Sequence, residues 1–190
     1  MKILVLGSGA REHAIILSLR SEAADHEIFA APGNAGIAQD ATVVDLDQLD
    51  GAAVTDFANT NGIDLVVIGP EAPLVAGVAD DLRGRGIPVF GPGRAAAQLE
   101  GSKAFAKRIM EAAGVPTGRA MRAVTSAEVE AAFDDLGSPY VVKADGLAAG
   151  KGVIVTDDRA AALAHAEQYL PSGPVLIEEF LTGPEVSLFF

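Results

Sequence analysis

A chain of 190 residues, 49% of them hydrophobic, has enough apolar matter for one large core or two smaller ones. The net charge of −12 argues against nucleic acid or an anionic membrane surface as the main partner, and the absence of cysteine excludes disulfides and thiolate chemistry. No apolar run approaches the roughly 18 residues of a membrane span, and Met1–Leu6 meets glycine too soon for a signal peptide, so a cytoplasmic protein is expected.

Through the first hundred residues apolar strands alternate with helical patterns. The spacing predicts strands at Ile3–Leu6, Glu27–Ala31, Thr42–Val44, Asp64–Ile68 and Val89–Phe90, and helices at Glu12–Leu19, Ala52–Asn59 and Leu74–Arg83. Continuous apolar strands in βαβ alternation imply an α/β unit, a parallel sheet covered by helices. Its ligand crevice is expected at the carboxyl ends of the strands, where Gly7–Arg11, Pro32–Gly36 and Gly69–Pro73 form glycine- and proline-rich loops. After Gly91-Pro92-Gly93 the pattern changes. Ser102 is placed to cap a helix running to Gly114-Val115-Pro116. A smaller unit follows, with a strand at Arg119–Ala123, a helix at Ser126–Leu136, a hairpin at Tyr140–Val155, a helix at Arg159–Leu170 and a strand at Val175–Phe180. Val186–Phe190 is expected to be a last strand, cut short.

The first glycine loop, Gly7-Ser8-Gly9-Ala10-Arg11-Glu12, departs twice from the dinucleotide fingerprint. Glu12 replaces the third glycine, and the second strand ends in Ala31-Pro32-Gly33 without the acidic residue that would bind a ribose. NAD is therefore not expected. Gly9 and Arg11 either serve an anion at a helix N-terminus or form a tight turn with no ligand. Asn34, between Gly33 and Gly36, either binds a sugar hydroxyl or caps its own turn. Glu71, after Pro70, suits an amine or ribose hydroxyls, or else a helix start.

The lysines are Lys2, Lys103, Lys107, Lys143 and Lys151. Lys103 lies in the first turn of its helix, facing the positive end of the dipole, so it has either a phosphate partner or a solvated side chain. Lys143 ends an apolar strand, and Gly146, Ala148, Ala149, Gly150, Lys151 and Gly152 form a turn into another. Such a strand–loop–strand suits polyphosphate, since glycines admit close approach of backbone N–H groups and lysines bring charge. The alternative is a pair of ordinary surface lysines. Val175–Glu185 runs from an apolar strand into Glu178, Glu179, Phe180, Leu181 and Glu185. That exit can set backbone groups and apolar surface against an adenine, with Glu185 toward ribose hydroxyls. His13, His26 and His165 lack metal-ligand spacing; His165 is expected at the surface, and His13 sits beside the first glycine loop.

Taken together, Gly7–His13, Ala31–Gly36, Val67–Leu74, Gln98–Phe105, Val142–Gly152 and Ile177–Leu181 resemble the glycinamide ribonucleotide synthetase family of ATP-grasp ligases. The resemblance implies a Rossmann-like pre-ATP-grasp domain over residues 1–101. An incomplete ATP-grasp α+β domain would follow over residues 102–190, with a small lid subdomain at about 118–182. It implies ligation of glycine to 5-phosphoribosylamine through a glycyl phosphate in purine biosynthesis, with ATP as phosphoryl donor. Lys103 and Lys143 would contact ATP phosphates beneath the loop at 148–152, Glu178 through Leu181 would hold adenine, and Glu185 the ribose. Gly9, Arg11, Glu12, Gly33, Asn34, Gly36, Pro70 and Glu71 would help to hold phosphoribosylamine. Magnesium or manganese ligands are expected beyond Phe190, so no turnover is expected of these residues alone. Two other readings stay open: a nucleotide- or phosphosugar-binding module without chemistry, and a different ATP-grasp ligase.

Overall fold

The computed structural model describes residues 1–147 and 151–188, folded as two compact units, Met1–Gly101 and Ser102–Phe190. In the first unit β1 (Lys2–Gly7), β2 (Glu27–Pro32), β3 (Thr42–Val43), β4 (Leu65–Ile68) and β5 (Val89–Phe90) form one sheet in the order β3-β2-β1-β4-β5, with every pairing parallel. Successive side chains of β1 enter opposite cores. Ile3 and Val5 pack with Ile16 of α1 (Ala10–Arg20), whereas Leu4 and Leu6 pack with Val54 and Ala58 of α2 (Gly51–Asn61) and with Leu82. Burial on both faces is why this strand is apolar throughout. The chain leaves β1 in one direction for β2 and β3 and returns on its other side as β4 and β5. This reversal opens the crevice at the carboxyl ends of β1 and β4.

The expected helix at Leu74–Arg83 is two helices, α3 (Glu71–Ala76) and α4 (Val78–Gly84). Gly77 separates them in the left-handed region, φ +95°, and a Cβ there would lie 2.3 Å from Arg94 Nη2. A further helix, α5 (Arg94–Gly101), had no counterpart in the expected elements. Its start is fixed by the Arg94 N–H, which donates to Asp80 Oδ2 at 2.8 Å.

In the second unit β6 (Ala120–Ala123), β7 (Tyr140–Ala144), β8 (Val153–Thr156) and β9 (Val175–Glu178) form an antiparallel sheet in the order β6-β9-β7-β8. Helices α7 (Ser126–Leu136) and α8 (Arg159–Tyr169) cover one face, burying Phe133, Val129, Ala162 and Ala166 against Val142, Val175 and Ile177. Alternation then sends Lys143 and Glu178 to the other face. Helix α6 (Lys103–Ala112) ends with the Gly114 N–H on Glu111 O at 3.1 Å and the Val115 N–H on Met110 O at 2.9 Å, the paired bonds of a Schellman cap.

Two strand expectations are corrected. Strand β9 stops at Glu178 rather than Phe180, because Glu178 is the last residue paired with both β6 and β7. Residues 186–188 belong to no strand; they are exposed and pair with no described neighbour. His165 is only half-exposed, its ring 5.0 Å from that of Tyr169. No helix among the described residues is long and apolar enough to cross a membrane.

Candidate functional site

The crevice of the first unit is built around a buried carboxylate. Glu12 is 4% exposed, and its Oε2 accepts the Gly9 N–H at 2.7 Å, in the manner of an N-terminal capping side chain. Two loops close over it. A Cβ at Gly7 would lie 2.4 Å from Glu12 Cγ, and one at Gly69 would lie 2.2 Å from Glu12 Oε1. The missing third glycine of the fingerprint is therefore the residue that fills the space beneath the other glycines. Expected against substrate, Glu12 instead supports the loops from below, because its backbone position at the start of α1 turns the carboxylate inward.

Asn34 behaves as the cap of its own turn. Its Oδ1 accepts the N–H groups of Gly36 and Ile37 at 2.7 and 2.9 Å, while its Nδ2 donates to Ser8 O at 2.8 Å. Gly33 and Gly36 thus shape a loop that is tied to the first one. His13 Nε2 lies 3.1 Å from Asp40 Oδ2, so this ring is held within the same framework.

Arg11 and Glu71 remain turned toward open space. Arg11 Nη1 donates to Gly69 O at 2.8 Å, and Glu71 is exposed in the first turn of α3, directly after Pro70. With Gly69, Leu74, Pro92 and Glu100 they line a cavity of about 310 Å³. A guanidinium and a carboxylate on one small cavity suit a ligand with a phosphate at one end and hydroxyls or an amine at the other. A larger hollow of about 740 Å³, lined by Lys2, Glu27 and Asp64 among others, lies at the amino ends of the strands. Parallel α/β sheets bind ligands at the opposite end, so no role is assigned to it.

In the second unit the cations gather at the carboxyl end of β7. Lys143 Nζ donates to Glu178 Oε2 at 2.9 Å, with the two side chains 29% and 11% exposed. Lys103 is half-buried, and its Nζ donates to Ala144 O and Gly146 O at 3.0 and 2.9 Å. The anion at the amino end of α6 is Asp145. Its Oδ2 accepts the Ser102 hydroxyl at 2.9 Å, and its Oδ1 accepts the N–H groups of Ala104 and Gly146 at 3.3 and 3.1 Å. This carboxylate offsets the unfavourable placement of Lys103 near a helix N-terminus.

The base of the hairpin is tied down as well. Gly152 O accepts the Ala144 N–H at 2.7 Å, and Lys151 O accepts the Tyr169 hydroxyl at 2.9 Å. Ala148, Ala149 and Gly150, expected over phosphate, lie outside the described residues. Glu179 is engaged with the neighbouring chain segment, accepting the Arg119 N–H at 2.8 Å and donating its own N–H to Arg119 O at 3.0 Å. Phe180, Leu181 and Glu185 are exposed beyond the strand.

The N-domain model of phosphoribosylglycinamide synthetase matches residues 1–100, and the ATP-grasp (A) domain model of the same synthetase matches residues 101–190. The chain belongs to this family. It is 76% identical over 190 residues to the phosphoribosylamine–glycine ligase of Leifsonia xyli subsp. xyli, covering 100% of this chain and 46% of that protein. Among solved structures, the phosphoribosylamine–glycine ligase of Thermotoga maritima matches with a TM-score of 0.74 and 33% identity, over 97% of this chain and 45% of that one. N5-carboxyaminoimidazole ribonucleotide synthetase from Thermus thermophilus, at 23% identity, matches with a TM-score of 0.75 over 95% of this chain and 47% of that one, which speaks to fold alone. The chain thus spans about half the length of the relatives it matches.

Three residues of the family's second domain escaped the sequence reading. Lys107 stands one helical turn beyond Lys103, so the two share a helix face, and this spacing was a usable signal. Asp145 was part of the glycine-rich motif but had no assigned role, since a bond to a helix start over forty residues earlier has no local pattern. Tyr169 closes a helix that reads as alanine-rich surface, and only the fold brings its hydroxyl to Lys151.

Proposed function

We propose that this chain is the amino-terminal part of an ATP-dependent ligase that joins glycine to 5-phosphoribosylamine, giving glycinamide ribonucleotide, ADP and phosphate. The carrying observation is the cation cluster of Lys143 and Lys103 at the carboxyl end of β7, in an acidic chain and within the residues matched by an ATP-grasp domain. Residues with this placement fit a nucleotide triphosphate. Lys143 needs only to leave Glu178 to meet a phosphate oxygen, and Lys103 is held near it through the backbone of residues 144 and 146.

In this reading glycine's carboxylate takes the γ-phosphoryl of ATP, and the amine of phosphoribosylamine then displaces phosphate from the acyl group. The protein's contribution is positioning, neutralisation of phosphate charge and exclusion of water from the acyl phosphate. Glu178 through Leu181 serve the adenine and Glu185 the ribose. Arg11 and Glu71, on the 310 Å³ cavity of the first unit, serve the phosphate and the hydroxyls or amine of phosphoribosylamine. Among the described residues no three histidine or acidic side chains form a metal cluster. A cytoplasmic location fits an acidic, cysteine-free enzyme of this kind.

The test is ADP release by the full-length protein with ATP, magnesium, glycine and fresh phosphoribosylamine. Release that requires both co-substrates supports the ligase; nucleotide binding without release moves a binding module ahead. Residues 1–190 alone should give no product. Replacing Lys143 by Ala in the full-length protein should weaken ATP binding by about 1.5–3 kcal/mol, the worth of a charge-assisted hydrogen bond. Unchanged affinity would remove Lys143 from the site.

A further inference from the structure

Two lysines converge on one carboxylate in the second unit, and they are held in different ways. Glu178 Oε2 lies 2.9 Å from Lys143 Nζ and 3.4 Å from Lys107 Nζ, and the Glu178 side chain is only 11% exposed. Lys107 has further anchors. Its Nζ donates to Thr117 Oγ1 at 2.8 Å and to Gly118 O at 2.9 Å, both in the segment that follows α6. Lys143, among the described residues, donates to Glu178 alone. One lysine is pinned by three oxygens, the other by one.

A carboxylate this far from water needs a counter-ion, because a charge left uncompensated in a low-dielectric site is strongly unfavourable. With Lys143 as its sole partner, Glu178 would hold that lysine in place, and moving it to a phosphate would expose the full cost of the orphaned carboxylate. With Lys107 fixed alongside, the charge stays compensated when Lys143 departs. We propose that Lys107 is a positioning residue for nucleotide binding. It acts as the permanent counter-ion of Glu178, which leaves Lys143 free to transfer to the phosphates of ATP. This rests on the assignment of ATP to this site. Lys107 itself touches no nucleotide in this scheme; its effect passes through Glu178.

The experiment is a binding cycle in the full-length protein, with ATP affinity measured by calorimetry and folding followed by thermal unfolding. Lys107→Met should weaken ATP binding by about tenfold or more, whereas Lys107→Arg, which keeps the charge, should stay within about threefold of the parent. In a Glu178→Gln background, where no carboxylate needs compensation, adding Lys107→Met should change affinity by less than about twofold. A purely structural lysine would lose the same factor in both backgrounds, and that result overturns the proposal. So does Lys107→Met binding within twofold of the parent, or Lys107→Arg binding as weakly as Lys107→Met. If Lys107→Met does not fold, Lys107→Gln, an uncharged side chain that keeps a donor for Thr117 Oγ1 and Gly118 O, takes its place with the same expected losses in the two backgrounds and the same overturning results. A parent protein that binds no ATP, or a Lys143→Ala variant that binds it normally, instead overturns the ATP assignment. Normal binding by the parent, impaired binding by Lys143→Ala and unchanged binding by Lys107→Met sinks the counter-ion role alone.

Discussion

The two units set out their candidate anion-binding groups by opposite means. In the first, the side chains around the glycine loops are engaged with the protein itself: Glu12 caps Gly9, Asn34 bridges two loops, and His13 meets Asp40. What faces open space is backbone, with Arg11 and Glu71 at the margin. In the second, the cations are present but occupied by groups that a phosphate can replace: carbonyl oxygens for Lys103 and a carboxylate for Lys143. A crevice of the first kind leaves little space for added bulk at Gly7 and Gly69, where a Cβ would meet the Glu12 side chain. In the proposed scheme a cluster of the second kind exchanges partners, so its chemistry depends on what stays behind when a lysine leaves.

The sharpest way to break the comparison is to add one methyl group to the first unit. Gly69→Ala sets a Cβ 2.2 Å from Glu12 Oε1 and 2.5 Å from its Cγ, and Glu12 is only 4% exposed. Overpacking of this severity should cost about 3 kcal/mol, read as a lower midpoint in urea. All three close contacts are with the Glu12 side chain, so in a Glu12→Ala background the same substitution should cost less than about 1 kcal/mol. Equal losses in the two backgrounds would show that Glu12 is not what the glycines accommodate.

The corresponding test in the second unit is Asp145→Ala. It removes the acceptor of the Ser102 hydroxyl and of two N–H groups, and it leaves Lys103 facing the helix N-terminus without its nearby anion. Loss of a capping carboxylate should cost about 1–2 kcal/mol in urea unfolding. Asp145→Asn, which keeps an acceptor and drops the charge, should lose less. If the two variants lose equally, the charge opposite Lys103 matters more than the hydrogen bonds.

Much of the architecture was legible because it rests on local patterns. The parallel sheet could be read from apolar strands buried on both faces, and the hairpin from two apolar runs around a glycine turn. The Ser102 cap and the Gly114 stop lie in sequence beside the helix they bound. Residues whose role depends on distant partners were harder. Gly77 breaks a helix that its neighbours would otherwise continue, and the arginine it meets is in α5, an element of only eight residues. Glu12 occupied a position expected to hold glycine, and its burial is evident only once β1 and β4 lie side by side. The candidate site residues divide in the same way. Lys143 stood out by its strand end, whereas Asp145 and Glu179 act through bonds to Ser102 and Arg119, far away in sequence.

The smallest expected effect concerns the anchor of the hairpin. Tyr169→Phe deletes one hydroxyl, that which donates to Lys151 O at 2.9 Å, and leaves the ring packed against His165. A single neutral hydrogen bond at a half-buried site is worth about 1 kcal/mol or less, so global stability should barely move. The bond nevertheless fixes one end of the segment that carries Lys151, on the side of the hairpin opposite Lys143. If the second unit relies on exchangeable partners held in a firm frame, faster amide hydrogen exchange in Tyr169→Phe should be confined to residues near 151–153. Exchange that rises across α8 as well would mean that the hydroxyl supports the helix, and that the hairpin is anchored by the Ala144–Gly152 pair alone.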